Sequence, residues 1–354
     1  MDFDYSISLP SICTPETMGA VAAIHEYKGK QELYQALQPE SFEKLAAVAR
    51  VQSIGSSNKI EGIETTDARL EALAAGKVVP RNRDECEIAG YRYVLDLIHE
   101  RYAHIAATPN VILQLHRDLF DMERASFAGR WKDSDNAIVE RLPGGRLRTR
   151  FEPTSAAFEP TSAAATPDAV ESLCRTYNES IEQGVFSPLL CVAQFVFDFA
   201  SIHPFVDGNG RMSRLLMLLL LYQNGYLIGK YSSLEGKIER TKQTYYEVLQ
   251  NSSAGWATRE NDYLPFVTYF LGIVLSCYRE LDEKLSTINA SIGNEGLIRD
   301  CLTKAIVPIS KREIERSCPT LSTRTIERTL QKMAREGAVL KIGAARATCY
   351  QLVR

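Results

Sequence analysis

Twelve consecutive residues, His203-Pro-Phe-Val-Asp-Gly-Asn-Gly-Arg-Met-Ser-Arg214, carry more reactive chemistry than any other stretch of the chain. His203 is the group in that run whose charge changes near neutral pH, so as neutral imidazole it suits taking a proton from an attacking hydroxyl. Asp207 supplies a hard carboxylate oxygen of the kind Mg²⁺ takes when it also binds phosphates. Gly208 and Gly210 have no Cβ and let an oligophosphate come close to the main chain. Asn209 can orient a phosphate oxygen, and Arg211 and Arg214, three apart, project to nearly one side to hold an oligophosphate. A helix beginning inside this run would present free N–H groups and the positive end of its dipole to the same anion. The set suits Mg-ATP, with Pro204 and Phe205 expected to fix the loop rather than touch substrate.

The run resembles the signature of the Fic family, H-P-F-x-(D/E)-G-N-G-R-x-x-R, and every fixed position is matched. That resemblance implies a protein adenylyltransferase, which moves AMP from Mg-ATP to a Ser, Thr or Tyr hydroxyl of a target protein or of itself. It implies His203 as base, Asp207 as the magnesium ligand, Asn209 and Arg211 on the phosphates and Arg214 on the γ-phosphate. Relatives of the Doc type carry lysine where this chain has Gly210, so Gly210 favours AMP transfer over phosphorylation.

A second motif lies upstream. Ser57-Asn-Lys-Ile-Glu61-Gly62 places a hydroxyl and a carboxylate four residues apart, on one face of a helix. It is similar to the family's inhibitory motif, (S/T)-x-x-x-E-(G/N), in which the glutamate pairs with the last arginine of the signature, here Arg214. Tyr245-Tyr246 resembles the Y-Y-x-x-L patch that lines the adenosine pocket in that family, although paired aromatics on a helix serve a core equally well. An expected hairpin over Ala137 to Glu152 falls where the family has a flap that docks the target segment as an added strand. The chain departs from commoner relatives just before it, reading Gly129-Arg-Trp-Lys132 where they read G-x-(F/Y)-R.

Elements must position these groups. Apolar residues three and four apart predict helices over about 30–69, 85–104 and 109–122, then 171–183, 189–202 and 211–223, and onward to about Ile292. Gly62 and Asn224-Gly225 read as stops. FEPTSAA repeats in tandem from Phe151 to Ala164, too short for a repeat architecture and read as a surface loop. Near the end, Ser310 and Glu313 form a capping box, Ser322 caps a helix whose Ile326, Leu330 and Met333 share a face, and two short strands follow. That order resembles a winged helix. The expected fold is therefore mainly α: an N-terminal helical region over 1–105 bearing the inhibitory helix, a Fic-type helical bundle with a small β-hairpin flap over 106–290, and a winged-helix-like module over 291–354.

The 354 residues allow two or three cores, and 45% hydrophobic with 24% charged residues is ordinary globular composition. Eight cysteines without metal-ligand spacing, a start lacking an export signal, and apolar runs shorter than the roughly 20 residues a spanning helix needs predict a cytoplasmic chain with no membrane contact. His116 reads as a packed helical histidine rather than a metal ligand, and His25, His99 and His104 have no partners at ligand spacing. From Ile309 to Arg354 ten Lys or Arg face four Asp or Glu, with Arg324, Arg328, Gln331, Lys332 and Arg335 on the second helix. DNA is thus a second candidate partner, and a DNA-binding regulator with a Fic-like domain the alternative reading. Use of another nucleotide donor, removal of AMP and a homodimer also stay open.

Overall fold

The computed structural model describes residues 2–135, 139–141, 147–149, 160–184, 186–305, 307–343 and 348–353. They fall into two compact units, residues 1–28 with 43–278, and residues 29–42 with 279–354. Residues 43–105 thus share a unit with 106–278.

The architecture is mainly α. In chain order the helices are α1 (Tyr5–Ile12), α2 (Pro15–Leu37), α3 (Pro39–Ile60), α4 (Asp67–Ala74), α5 (Arg83–Arg101) and α6 (Pro109–Leu119). After a hairpin of β1 (Val139–Arg141) and β2 (Leu147–Thr149) come α7 (Thr166–Gln183), α8 (Pro188–Ile202), α9 (Asn209–Gln223), α10 (Leu234–Arg240), α11 (Lys242–Ser253) and α12 (Leu264–Lys304). The chain closes with β3 (Ile309–Ser310), α13 (Lys311–Ser317), α14 (Thr323–Arg335), β4 (Val339–Ile342) and β5 (Cys349–Leu352).

Local chemistry explains most boundaries. Proline, already lacking an N–H, opens α2, α3, α6 and α8, and Asn82 and Thr108 accept backbone N–H groups at the starts of α5 and α6. The single helical stretch expected over 30–69 is three pieces, because Pro39 restarts the helix after Gln38 and Gly62, at φ 80°, turns the chain beyond Ile60. The helix after the signature loop begins two residues earlier than expected, at Asn209. The hairpin is antiparallel with Glu140 opposite Arg148; its connection and the first copy of the tandem repeat lie outside the described residues.

What positions the site is the pair α8 and α9. α8 throughout and α9 from Leu215 on are apolar around nearly their whole circumference, and almost every residue is buried, Phe195, Phe197, Phe199 and Ile202 in the first and Leu215 to Leu221 in the second. A helix of that kind can only sit inside a bundle. The loop between them, 203–208, is therefore anchored at both ends in the core. In α12, residues Leu264–Ser286 are long and apolar enough to cross a membrane, a length the sequence reading had not found, and half of that stretch is buried in the fold.

In the other unit, Ile314, Ile326, Leu330, Met333 and Val339 build a small core with Ile298 and Leu302. Ser310 and Glu313 form the expected capping box and Ser322 caps α14. The strands pair in the order β3-β5-β4; β3, two residues long, gave no sequence signal.

Candidate active site

His203 ends α8 in the left-handed region, φ 52° and ψ 61°, an uncommon conformation for a residue with a Cβ that costs about 1–3 kcal/mol and persists only where neighbours over-determine it. The ring bonds to the carbonyl of Ala200, which leaves its other nitrogen to accept a proton. Burial first, then the positive charge of Lys132, holds its pKa down to about 4, so the imidazole is neutral at physiological pH.

The loop after it is braced from within. Phe205 is fully buried, as expected. Asn209 is committed to holding the loop: its carboxamide oxygen accepts from Phe205 N–H (2.9 Å) and its nitrogen donates to Phe205 O (2.8 Å). Both ends of the amide are used on the main chain, which differs from a group held ready for a phosphate. Gly208, at φ 83°, turns the chain into α9 against Phe120, a ring that a Cβ there would meet at 2.7 Å.

Arg211 and Arg214 also have partners. Arg211, 1% exposed, pairs with the equally buried Glu87 of α5 at 2.7 Å and lies over the Phe120 ring, while Asp207 sits 3.7 Å away. Arg214, 2% exposed, donates from Nε to the Ser57 hydroxyl (2.8 Å) and from Nη2 to both the Ser57 carbonyl (2.9 Å) and the Glu61 carboxylate (2.8 Å). Ser57 thus binds the arginine through two atoms, its hydroxyl and its carbonyl. Burial opposes the charge on Arg214, but Glu61, with the oxygens of Tyr245, Tyr91 and Tyr246, more than offsets it and raises its pKa.

Gly210 is where the two motifs meet. A Cβ on it would collide with Oε1 of Glu61 and lie 2.9 Å from the carboxyl carbon. The space left by the missing side chain, at the amino end of α9, is filled by the chain's own carboxylate. Helix N-termini favour anions, so Glu61 sits where an anion is favoured. Beneath it, α3 is fastened to α10: Ser53 donates to Glu235 (2.8 Å), and Ser56 (2.7 Å) and Lys59 (2.9 Å) both bind Glu239.

Tyr245, buried, and Tyr246, half-buried, meet edge to face at 5.1 Å on α11, close enough to influence Arg214. Asp207 is the most open of the acidic groups, with its side chain 44% exposed and Arg83 at 3.3 Å. One exposed carboxylate beside a helix N-terminus matches the donor set of an ion that takes most of its ligands from phosphate and water. Among the described residues no three His, Cys, Asp or Glu converge as a metal cage.

Sequence reasoning missed Glu87, Lys132 and the work done by His116. The His116 ring accepts the Gly129 N–H at Nδ1 (3.0 Å), so its proton is on Nε2, which donates to the Asp207 carbonyl (3.0 Å). Burial holds its pKa down to about 4, and the ring stacks flat on Phe205 at 3.7 Å.

The comparisons with known proteins converge on this same region. The model of the Fic/DOC family matches residues 106–221. A Fido domain-containing protein of Dictyostelium discoideum is 40% identical over 96 residues, 25% of this chain and 67% of that protein. The chain belongs to the Fic/DOC family. It is also similar to protein adenylyltransferase Fic of Drosophila melanogaster, 26% identical over 258 residues, 71% of this chain and 43% of that one. The chain spans less than half the length of the adenylyltransferase relatives it matches. A crystal structure of a Fic family protein from Desulfovibrio desulfuricans shares the fold, with a TM-score of 0.60 at 22% identity over 96% of each chain.

Proposed function

We propose that this Fic-family chain transfers AMP from Mg-ATP to a Ser, Thr or Tyr hydroxyl of a target protein or of itself, and that Glu61 holds the reaction off. His203 takes the hydroxyl proton as the oxygen attacks the α-phosphorus, and pyrophosphate leaves. The amino end of α9 receives the oligophosphate, with Arg214 on the γ-phosphate and Arg211 nearby. Asn209 acts by shaping the loop around that seat. Asp207 is the residue to hold Mg²⁺, which when bound would neutralise charge on the phosphates. Tyr245 and Tyr246 are assigned to the adenosine side, and the backbone edge of the β1–β2 hairpin to the target segment as an added strand.

The observation that carries this reading is the Glu61 carboxylate lying on Gly210 and Arg214, in the place a phosphate would take. Arg214 is 2% exposed and Glu61 30%, so an incoming phosphate must displace a partly buried carboxylate from its guanidinium. Residues 291–354 are assigned to a winged-helix-like module, on the order β3, α13, α14, β4, β5.

The test is transfer by Glu61→Gly and the native chain from ATP labelled at either the α- or the γ-phosphate. Transfer of the α label alone, raised about 10–100-fold in the variant and accompanied by a mass increase equal to AMP, is the expected result. Equal labelling of both proteins would remove the brake, and transfer of the γ label would replace AMP transfer by phosphorylation.

A further inference from the structure

We infer that Lys132 is the positioning residue for His203, closing a clasp on the two peptide groups that flank it. The backbone N–H of Lys132 donates to the carbonyl of Pro204 at 2.9 Å, and its ammonium donates to the carbonyl of Ile202 at 3.2 Å. One residue therefore grips the main chain immediately before and immediately after the imidazole. Between those two bonds lies the left-handed backbone of His203, a conformation that needs external restraint in a residue with a Cβ.

Three further observations fit a clasp. Lys132 is 3% exposed, and among the described residues its ammonium has no carboxylate within ion-pair distance, which is rare for a lysine so deeply buried. Its charge faces the last carbonyls of α8, where the helix dipole favours a cation. Its neighbours grip the same loop: Trp131 stacks on Phe205 at 5.2 Å, and Gly129 fixes the His116 tautomer that holds the Asp207 carbonyl. The segment from Gly129 to Lys132 thus reaches positions 202, 204, 205 and, through His116, 207. The sequence departure at this segment thus falls on residues that hold the loop of the base.

The same geometry sets the charge around the base. The groups acting on the His203 ring are Lys132, which opposes its protonation, and Glu61, Asp207 and the Ala200 carbonyl, which favour it. Lys132, itself held down to about 8 by burial, still carries its charge at neutral pH. It therefore places the ring and adds to burial in keeping it unprotonated, ready to accept.

The inference rests on the reading of His203 as the base, and the experiment separates the two. Lys132→Met, Lys132→Gln and Lys132→Arg are made in full-length Glu61→Gly, and kcat and KM for ATP are measured. Misplacing a catalytic group slightly costs on the order of 100-fold, so Lys132→Met should lower kcat by about 10–100-fold with KM within about twofold. Lys132→Arg, a cationic donor, should restore most of kcat. Lys132→Gln keeps a donor without the charge and takes the place of Lys132→Met should that variant not fold.

A second readout needs no activity. In ¹³C-imidazole NMR of the native chain, five histidines give five signals, and His203→Ala identifies one of them. Its titration midpoint should rise in Lys132→Met or Lys132→Gln and stay put in Lys132→Arg. Folded Met and Gln variants with unchanged kcat and an unchanged His203 midpoint overturn the clasp. If Glu61→Gly transfers nothing, the proposed reaction fails by itself, and the NMR titration still decides the placement of Lys132.

Discussion

The signature loop and the C-terminal unit are both rich in charge, but they handle it in opposite ways. Around the loop, Arg211 and Glu87 are each 1% exposed and Arg214 2%, and every one has a defined partner. In the C-terminal unit the ion pairs are open: Lys311–Glu327 is 41% and 48% exposed, Lys332–Glu295 61% and 32%. An exposed pair contributes about 0–1 kcal/mol, whereas leaving one half of a buried pair alone costs about 3–5 kcal/mol. The difference teaches where specific chemistry should be sought. A buried charge is retained against a high desolvation cost, and a solvated one is not.

The sharpest way to break that contrast is at the base. In Glu61→Gly, the further change His203→Ala should lower AMP transfer by about 10²–10⁴-fold while ATP binding, measured by calorimetry, stays within a fewfold. Residual transfer near the parent level would mean that the loop positions ATP without supplying the base, and that the buried charges serve structure alone.

Next in size is stability. Glu87→Ala removes the buried partner of Arg211 and one of the carboxylates that Arg83 binds, at 2.9 Å. Urea unfolding followed by the fluorescence of Trp131 and Trp256, both in the larger unit, should show a loss of about 3–5 kcal/mol. Glu327→Ala in the C-terminal unit should cost under about 1 kcal/mol by circular dichroism. Equal losses would erase the comparison.

How much of this could be read beforehand follows the same line. The capping box of Ser310 and Glu313 was legible because its partners are three residues apart, and the pairing of Glu61 with Arg214, 2.8 Å in the structure, could be expected because two motifs resemble known ones. Glu87 was not legible: nothing in its sequence neighbourhood points to Arg211, 124 residues on, which it meets only once α5 and α9 pack together. Lys132 and His116 were hidden for the same reason, since both act on backbone carbonyls, which no side-chain pattern betrays. Asn209 shows the converse. Its place in the signature was plain, but its two bonds to Phe205 appear only with the fold.

A smaller effect concerns pH. His99, His116 and His203 are each held down to about 4, mainly by burial, from an ordinary 6.5. Between those values the unfolded chain takes up protons that the folded one refuses, so stability should be full above about pH 6.5 and fall progressively toward pH 4. Transfer by Glu61→Gly should be flat from about pH 6 to 7, since a neutral base is already present and Lys132 still carries its charge. A rate that halves near pH 6.5 would show an imidazole open to water, and the loop would then resemble the solvated unit rather than differ from it.

The least effect is expected from α14. Arg324, Arg328 and Arg335 are exposed on one helix, and the charge excess from Ile309 to Arg354 is the feature that suggested DNA. Exposed cations of this kind bind phosphate backbones without sequence preference, and such binding weakens steeply with salt. Replacing all three by Ser should therefore leave AMP transfer by Glu61→Gly within about twofold, because surface changes of this sort shift stability by only about 0.5 kcal/mol. Mobility shifts with a DNA duplex at low and at physiological salt supply the other arm. Retention of the duplex at physiological salt by the native chain, and its loss in the triple variant, would show that these solvated charges have a specific partner after all. The contrast would then lie in what each set of charges binds, ATP for the buried one and DNA for the exposed one.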